Sequence, residues 1–494
     1  MQTIRLRMKD YAFLQLVECE PHIVSEMSEY FTFEVEGAKF MPAVRKRIWD
    51  GKIRMLDRTS GEINAGLYWS IKKFAMERGY AVKVEDGPYG YPYTLNKINH
   101  MKTMEWLETL DMPYKARDYQ YDAITHGITH KRTILISPTG SGKSFIIYIL
   151  MRWYLQNYDK KTLIIVPTTS LVEQLYSDFK EYGFNVEEHC HKIYSGKDKE
   201  TDKSIIISTW QSVYKLHPTW FHQFGAIFGD EVHGFKAKSL SSIMNKSKNA
   251  EYRWGTTGTL DGTQVNKLVL EGLFGPVHQV TTTSTLQKEK QLAQLNIDII
   301  QLQYDKEICA SLKGATYHEE IDFIVSNNKR NLFIRNLACS LEGNTLVLFN
   351  LVDKHGKVLR DLIEEKLKEG QRLFYVSGET KTNDREAVRA IVEKQENSVV
   401  LASLGTFSTG INIKNIHNII FASPSKSQVR VLQSIGRGLR LSENGATTRL
   451  YDIADDLRSD GAPNYTLRHS AERIKIYTSQ EFNYKINQVV IHGK

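Results

Sequence analysis

Residues Thr133-Ile134-Leu135-Ile136-Ser137-Pro138-Thr139-Gly140-Ser141-Gly142-Lys143-Ser144 run directly into Phe145-Ile146-Ile147-Tyr148-Ile149-Leu150. An apolar run, a glycine loop and a helix-like segment follow one another in the order strand, loop, helix. Gly140 and Gly142 let the backbone of Thr139, Ser141 and their neighbours curl, so that successive N–H groups and the helix N-terminus face an anion. Lys143 is then placed to reach the β- and γ-phosphates of a nucleotide, and Ser144 to offer its hydroxyl to Mg²⁺. The loop departs from G-x-x-x-x-G-K-[ST] at its first position, where Ser137 stands in place of glycine.

The same wiring extends outward from this stretch. Leu163 to Val166, Ile205 to Ile207, Ala226 to Phe228, Leu346 to Leu348, Leu373 to Val376, Val399 to Leu401 and Ile419 to Phe421 are short, continuous apolar runs, each followed by a longer segment of helical periodicity. Continuous rather than alternating apolar character marks strands covered on both faces, as in parallel sheets flanked by helices. With Ile134 to Ile136 there are too many such runs for one modest sheet. The polar stretch Thr281 to Thr285, followed by Gln287 to Lys290, reads as a linker and places a boundary near residue 285. Residues 1–105 mix short strands, aromatics and turns and read as a separate α+β domain. The expected division is 1–105, 106–285, 286–460 and a helical tail over 461–494.

Asp230-Glu231-Val232-His233 follows the run Ala226 to Phe228, at the sheet edge where open α/β folds bind ligands. Asp230 is placed to hold the Mg²⁺ shell and Glu231 to orient or deprotonate an attacking water. In Gln433-Ser434-Ile435-Gly436-Arg437-Gly438-Leu439-Arg440, two arginines at i and i+3 share one face of a helix. Such cations stabilise charge on a transferring phosphoryl group, here from the second half of the chain, so hydrolysis is expected to depend on two lobes closing.

Composition narrows the class. The 494 residues, 41% hydrophobic and 25% charged, exclude a mainly disordered chain, a collagen and a membrane bundle. No run approaches the length of a membrane span, and Asp10, Gln15, Glu18 and Glu20 interrupt any secretory signal core. Four cysteines without a CxxC pair suit a reducing cytoplasm. The net charge of +8, from 65 basic and 57 acidic residues, permits a polyanionic partner without demonstrating one.

Over residues 115–455 these motifs resemble those of the superfamily 2 helicases, whose two RecA-like lobes sandwich ATP. Arg117-Asp118-Tyr119-Gln120 resembles the adenine-recognition motif, which makes Gln120 and Arg117 the base readers. Ser137 to Ser144, Asp230 to His233, Thr257-Gly258-Thr259, Thr409-Gly410 and Gln433 to Arg440 resemble motifs I, II, III, V and VI. The resemblance also implies a track for a strand backbone: Thr168, Thr209 and Gln211 in the first lobe, Asn350, Ser377 and Thr406 in the second. Small residues and hydroxyls suit phosphate oxygens and carry no sequence information. Within the superfamily the chain is most similar to the UvsW-type recombination helicases of tailed phages, through Trp49-Asp50-Gly51-Lys52-Ile53-Arg54 and Phe482-Asn483-Tyr484. That likeness implies a monomer in the host cytoplasm that unwinds and branch-migrates forked DNA, with RNA–DNA hybrids as a further substrate. A duplex translocase and a nucleotide-gated clamp are the competing readings.

Between Lys39 and Arg58 seven cations (Lys39, Arg45, Lys46, Arg47, Lys52, Arg54, Arg58) face only Asp50 and Asp57, with Phe40 and Trp49 interleaved. This strip suits the phosphates of a parental duplex, with log K falling by about 0.9 per neutralised phosphate per log unit of salt. The competing reading is an ordinary basic surface with Trp49 in the core. Charge reversal at Arg45 and Arg47 is expected to lower fork affinity while DNA-free ATP hydrolysis persists; unchanged affinity in a binding titration overturns the assignment.

Overall fold

The structure is a computed structural model and describes residues 2–492 apart from 36, 195, 235–236, 259, 261–263, 293, 411–412, 414, 424–446 and 460. The chain divides into two compact units: Met1–Ser137 with Gly142–Val280, and Thr281–Lys494 with the loop residues Pro138–Ser141.

The first unit begins with β1 (Thr3–Met8), β2 (Phe13–Glu18), β3 (Thr32–Glu34), β4 (Lys52–Arg54), β5 (Glu62–Asn64) and β6 (Ala81–Glu85). Four of these form a mixed sheet in the order β5-β2-β1-β6, while β3 and β4 make a separate antiparallel ribbon. Ile4, Leu6 and Met8 alternate along β1 and bury one face against Ile23 and Met27 of the helix Pro21–Tyr30 and Ile71 and Phe74 of the helix Tyr68–Glu77. This is the expected small α+β domain.

A seven-stranded sheet follows: β7 (Arg132–Ile136), β8 (Lys161–Val166), β9 (Cys190–Ile193), β10 (Ile205–Thr209), β11 (Phe224–Gly229), β12 (Tyr252–Thr257) and β13 (Val277–Gln279). Its order is β13-β7-β12-β11-β8-β10-β9, and every pairing is parallel. β12, which is not an apolar run, lies between the strand leading into the phosphate loop and the strand leading to Asp230.

The second unit holds the other parallel sheet: β14 (Leu295–Tyr304), β15 (Thr345–Phe349), β16 (Arg372–Val376), β17 (Ser398–Ser403), β18 (Asn418–Phe421), β19 (Thr448–Asp456) and β20 (Asn483–Ile491), in the order β16-β17-β15-β18-β19-β14-β20. Two expectations need correction. The polar stretch taken for a linker holds a short helix, Thr283–Lys288, because the Thr282 hydroxyl accepts the N–H of Thr285 at 3.1 Å and caps it. The tail is not helical throughout. The helix Tyr465–Ser479 ends before Glu481, whose φ is 56°, and β20 then pairs in parallel with β14. Lys485 to Ile491 has only β-branched residues at its apolar positions, a composition that favours a strand.

Buried ion pairs hold the second sheet to its helices. Asp455 of β19 accepts from Arg330 Nε at 2.7 Å, from Arg330 Nη2 at 3.0 Å and from the Tyr304 hydroxyl at 2.7 Å. Asp452 accepts from Arg473 Nη2 at 2.7 Å and from the Tyr477 hydroxyl at 2.8 Å. Glu320, also buried, takes the Tyr465 and Thr466 N–H groups and so caps the tail helix. All four cysteines are free thiols, and no helix among the described residues is long and apolar enough to cross a membrane. Removing one partner of a buried pair strands the other charge. Asp455→Ala is therefore expected to cost about 3–5 kcal/mol of stability in denaturant unfolding, and the double change Asp455→Leu with Arg330→Met much less; equal losses would show that the pair is not what holds the helix.

Candidate functional site

Parallel strands deliver their C-terminal ends to one edge, and the expected nucleotide residues of the first unit gather there. Gly142, at φ 80° and ψ 39°, caps the helix Lys143–Asn157, and Gly140 has φ 86°. Both lie in the left-handed region that a side chain disfavours. The Ser141 hydroxyl donates to the Pro138 carbonyl at 2.7 Å and closes the loop on itself. Lys143 Nζ donates to the Ser137 carbonyl at 3.2 Å and lies 3.4 Å from Glu231 Oε1. The Ser144 hydroxyl shares a 2.9 Å hydrogen bond with the Tyr182 hydroxyl.

The acidic pair follows β11. Asp230 is buried, and its Oδ1 accepts from the Thr256 hydroxyl at 2.6 Å and from the Glu231 N–H at 3.0 Å. Burial, and then the neighbouring charge of Glu231, push the Asp230 carboxyl above the usual carboxylate range. Burial also pushes Glu231 upward, but the Lys143 ammonium and His233 outweigh it and hold that carboxyl below its ordinary value. The two acids are thus driven apart, one towards holding a proton and the other towards charge. Glu231 has φ 50°, a strained conformation for a side-chain-bearing residue that costs on the order of 1–3 kcal/mol and clusters at working sites.

The end of β12 ties these parts together. The Ser137 N–H donates to the Thr257 carbonyl at 2.9 Å, the Thr257 hydroxyl is 2.6 Å from His233 Nδ1, and Gly258 N–H donates to Glu231 Oε2 at 3.4 Å. Gln120, buried, accepts the Arg117 N–H at 2.9 Å, and a Cβ on Gly142 would meet its Nε2 at 2.5 Å. The Arg117 guanidinium donates to the Tyr119 hydroxyl at 2.9 Å. Thr256 and Tyr182 were not legible as site residues. A hydroxyl just before Thr257 in a buried strand was the one available signal for Thr256, and Tyr182 had none.

Other expected residues occupy the same kind of edge. In the first unit Thr168 caps the helix Thr169–Glu181 after β8, Thr209 ends the neighbouring β10 with its hydroxyl 2.9 Å from Ser212, and Gln211 Nε2 reaches the Pro167 carbonyl at 3.2 Å. In the second unit Asn350 follows β15, Ser377 follows β16, and Thr406, 2.7 Å from Ser403, follows β17. These three strands are adjacent. Gly410 is the last residue of the helix Leu404–Gly410. Arg437 and Arg440 lie outside the described residues. Arg45, Arg47 and Lys52 are exposed near the ribbon of β3 and β4, and Trp49 is half-buried, with its Nε1–H on the Lys52 carbonyl at 2.9 Å, rather than in a core.

Among the described residues no group of three or more His, Cys, Asp or Glu side chains could hold a metal by itself. One hydroxyl and one carboxylate, Ser144 and Asp230, are the hard-oxygen set that suits Mg²⁺ completed by phosphate and water ligands.

Three family models match the chain: the N-terminal domain of the DNA helicase UvsW over residues 3–85, the res subunit of type III restriction enzymes over 113–262, and the helicase conserved C-terminal domain over 328–442. The ATP-dependent DNA helicase uvsW of Enterobacteria phage T4 is 35% identical over 515 aligned residues, covering 98% of this chain and 99% of that protein. The chain belongs to the UvsW-type superfamily 2 DNA helicases. The crystal structure of T4 UvsW matches at 33% identity and TM-score 0.51, with 99% of each chain covered. Saccharomyces cerevisiae Dbp5, in a structure with RNA and ADP BeF3, matches at 12% identity and TM-score 0.52 over 79% of this chain and 93% of that one, a likeness of fold alone. The paired parallel sheets are the two tandem RecA-like lobes of this family. In a UvsW-type helicase with this acidic pair, Glu231→Gln is expected to keep nucleotide binding and to slow single-turnover hydrolysis by about 10²–10⁴-fold; wild-type turnover would remove Glu231 from the chemistry.

Proposed function

We propose that this UvsW-type helicase uses ATP and Mg²⁺ to unwind and branch-migrate branched DNA (replication forks, Holliday junctions and R-loops) during phage replication, recombination and repair. The observation that carries the reading is the pairing, in one chain, of a UvsW N-terminal domain with a phosphate loop and an acidic pair at one sheet edge. The printed name of its full-length T4 relative, an ATP-dependent DNA helicase, supports the same reading.

In this account Lys143 leaves Glu231 for the β- and γ-phosphates, and the freed Glu231 carboxylate orients the attacking water. Ser144 and Asp230 would hold Mg²⁺, which would supply charge neutralisation on the phosphates. Thr139, Gly140, Ser141 and Gly142 cradle the phosphates, Gln120 with Arg117 reads the base, and Gly410, Arg437 and Arg440 contribute from the second half. Thr168, Thr209, Gln211, Asn350, Ser377 and Thr406 grip one strand by its backbone. Residues 1–105 hold the duplex through Arg45, Arg47 and Lys52, 106–285 and 286–460 form the motor, and 461–494 complete it. The protein acts as a monomer in the host cytoplasm.

Opening a base-pair step must overcome about 1.4 kcal/mol of stacking on average. Exchanging old pairs for new ones at a branch costs almost nothing net per step, so branch migration is the easier task for such a motor. The test follows labelled strands of a synthetic fork with homologous arms, with Mg²⁺ and ATP, against Lys143→Ala as background. Strand exchange or release by the wild type alone is expected; fork-stimulated ATP turnover without strand movement would favour a duplex translocase or a clamp.

A further inference from the structure

The strip between β3 and β4 is more than a cationic surface. Residues 37–51 belong to an excursion from the ribbon that is tied at its base and within itself. The Val35 N–H donates to the Gly51 carbonyl at 2.8 Å, and the Ile48 and Trp49 N–H groups both reach the Ala43 carbonyl, at 2.9 and 3.2 Å. Gly51 has φ 78°, and a Cβ there would meet the buried Ala38 side chain at 2.8 Å, so the base closes only on glycine. Asp50 and Arg54 form an ion pair that, with the Lys52 N–H, draws the Asp50 carboxyl down to about 2. Arg47, at φ 55°, turns the chain so that the next residue stands outward.

That residue is Ile48, 77% exposed, and Phe40 is 64% exposed. They lie before and after the helical turn Pro42–Arg45, with Met41 also exposed between Phe40 and the turn. Isolated exposed apolar residues are ordinary on a protein surface. Here they share an excursion with Lys39, Arg45, Lys46 and Arg47, all exposed, and among the described residues none of these four cations has a carboxylate at ion-pair distance. Cations of this kind bring phosphates to the tip. Large apolar side chains held among phosphates find apolar partners only in base faces, and base faces are open only where strands part.

We infer that Phe40 and Ile48 are an apolar wedge that enters the branch point of the DNA and unstacks the first pair, while Arg45, Lys46 and Arg47 hold the flanking phosphates. The inference deepens the proposed function and rests on it for the identity of the substrate. It separates two roles within one excursion, cations for affinity and apolar side chains for strand parting.

The test uses the full chain and a fork carrying 2-aminopurine at the branch. Binding of the wild type without ATP is expected to raise 2-aminopurine fluorescence as the base leaves the stack. The double variant Phe40→Ala with Ile48→Ser is expected to lose that rise, to bind the fork within about twofold of wild type, and to displace or exchange strands about tenfold more slowly or worse. Both side chains are exposed, so its thermal midpoint is expected to be unchanged, and Phe40→Trp with Ile48→Leu should restore the fluorescence rise. An undiminished rise in the double variant overturns the wedge. So does a variant whose defect is loss of self-association, which would assign the tip to a second copy of the chain. If the wild type unstacks the branch but never moves strands, the proposed function fails while the wedge stands.

Discussion

A parallel sheet delivers every strand's carboxyl end to the same edge, and this constraint organises both halves of the protein. In the first sheet it brings the phosphate loop after β7, the hydroxyls ending β12 and the acidic pair after β11 into one row. The central strand of that row, β12, ties its two neighbours together. Its contribution is spacing: Thr256 fixes Asp230, and Thr257 joins His233 on one side to Ser137 on the other. The second sheet repeats the arrangement with Asn350, Ser377 and Thr406 on three neighbouring strands.

The Lys143 ammonium is the focus of this edge. It neutralises Glu231 and lowers that carboxyl, while at Asp230, the neighbouring and more buried acid, burial and the like charge of Glu231 outweigh the pull of Lys143 and the Thr256 hydrogen bond, and the carboxyl moves the other way. Opposite shifts in adjacent acids follow from environment alone, since the two side chains have nearly the same intrinsic acidity. Glu231 also carries a strained backbone, with φ 50°, of the kind that clusters at working sites.

Strands with continuous apolar runs were legible in the sequence because burial on both faces leaves only apolar residues to read. β12, β14 and β19 were not, because each buries a charged side chain. Arg253 in β12, and Asp452 and Asp455 in β19, are fully buried, yet they read as polar surface until their partners are known. Arg330, which satisfies Asp455, comes from a helix 125 residues away, and Arg473, which satisfies Asp452, from the helix that follows β19. The phosphate loop and the acidic pair could be found because their chemistry depends on local spacing. Tyr182 could not, because its place beside Ser144 comes from packing between two helical segments. The tail was misread because the apolar and aromatic positions of its helix are followed closely by Phe482 and Tyr484, past the left-handed residue Glu481 that separates helix from strand.

β20 extends the second sheet beyond β14 as its outermost strand, pairing with Asn296 to Tyr304, a stretch made much earlier in synthesis. Until that late segment emerges from the ribosome, β14 presents one open row of backbone donors and acceptors, the kind of edge that pairs with whatever strand it meets. During the interval between the two strands the first lobe is free to mature while β14 is exposed to mispairing, so a slow step in translation between residues 304 and 483 should lower the yield.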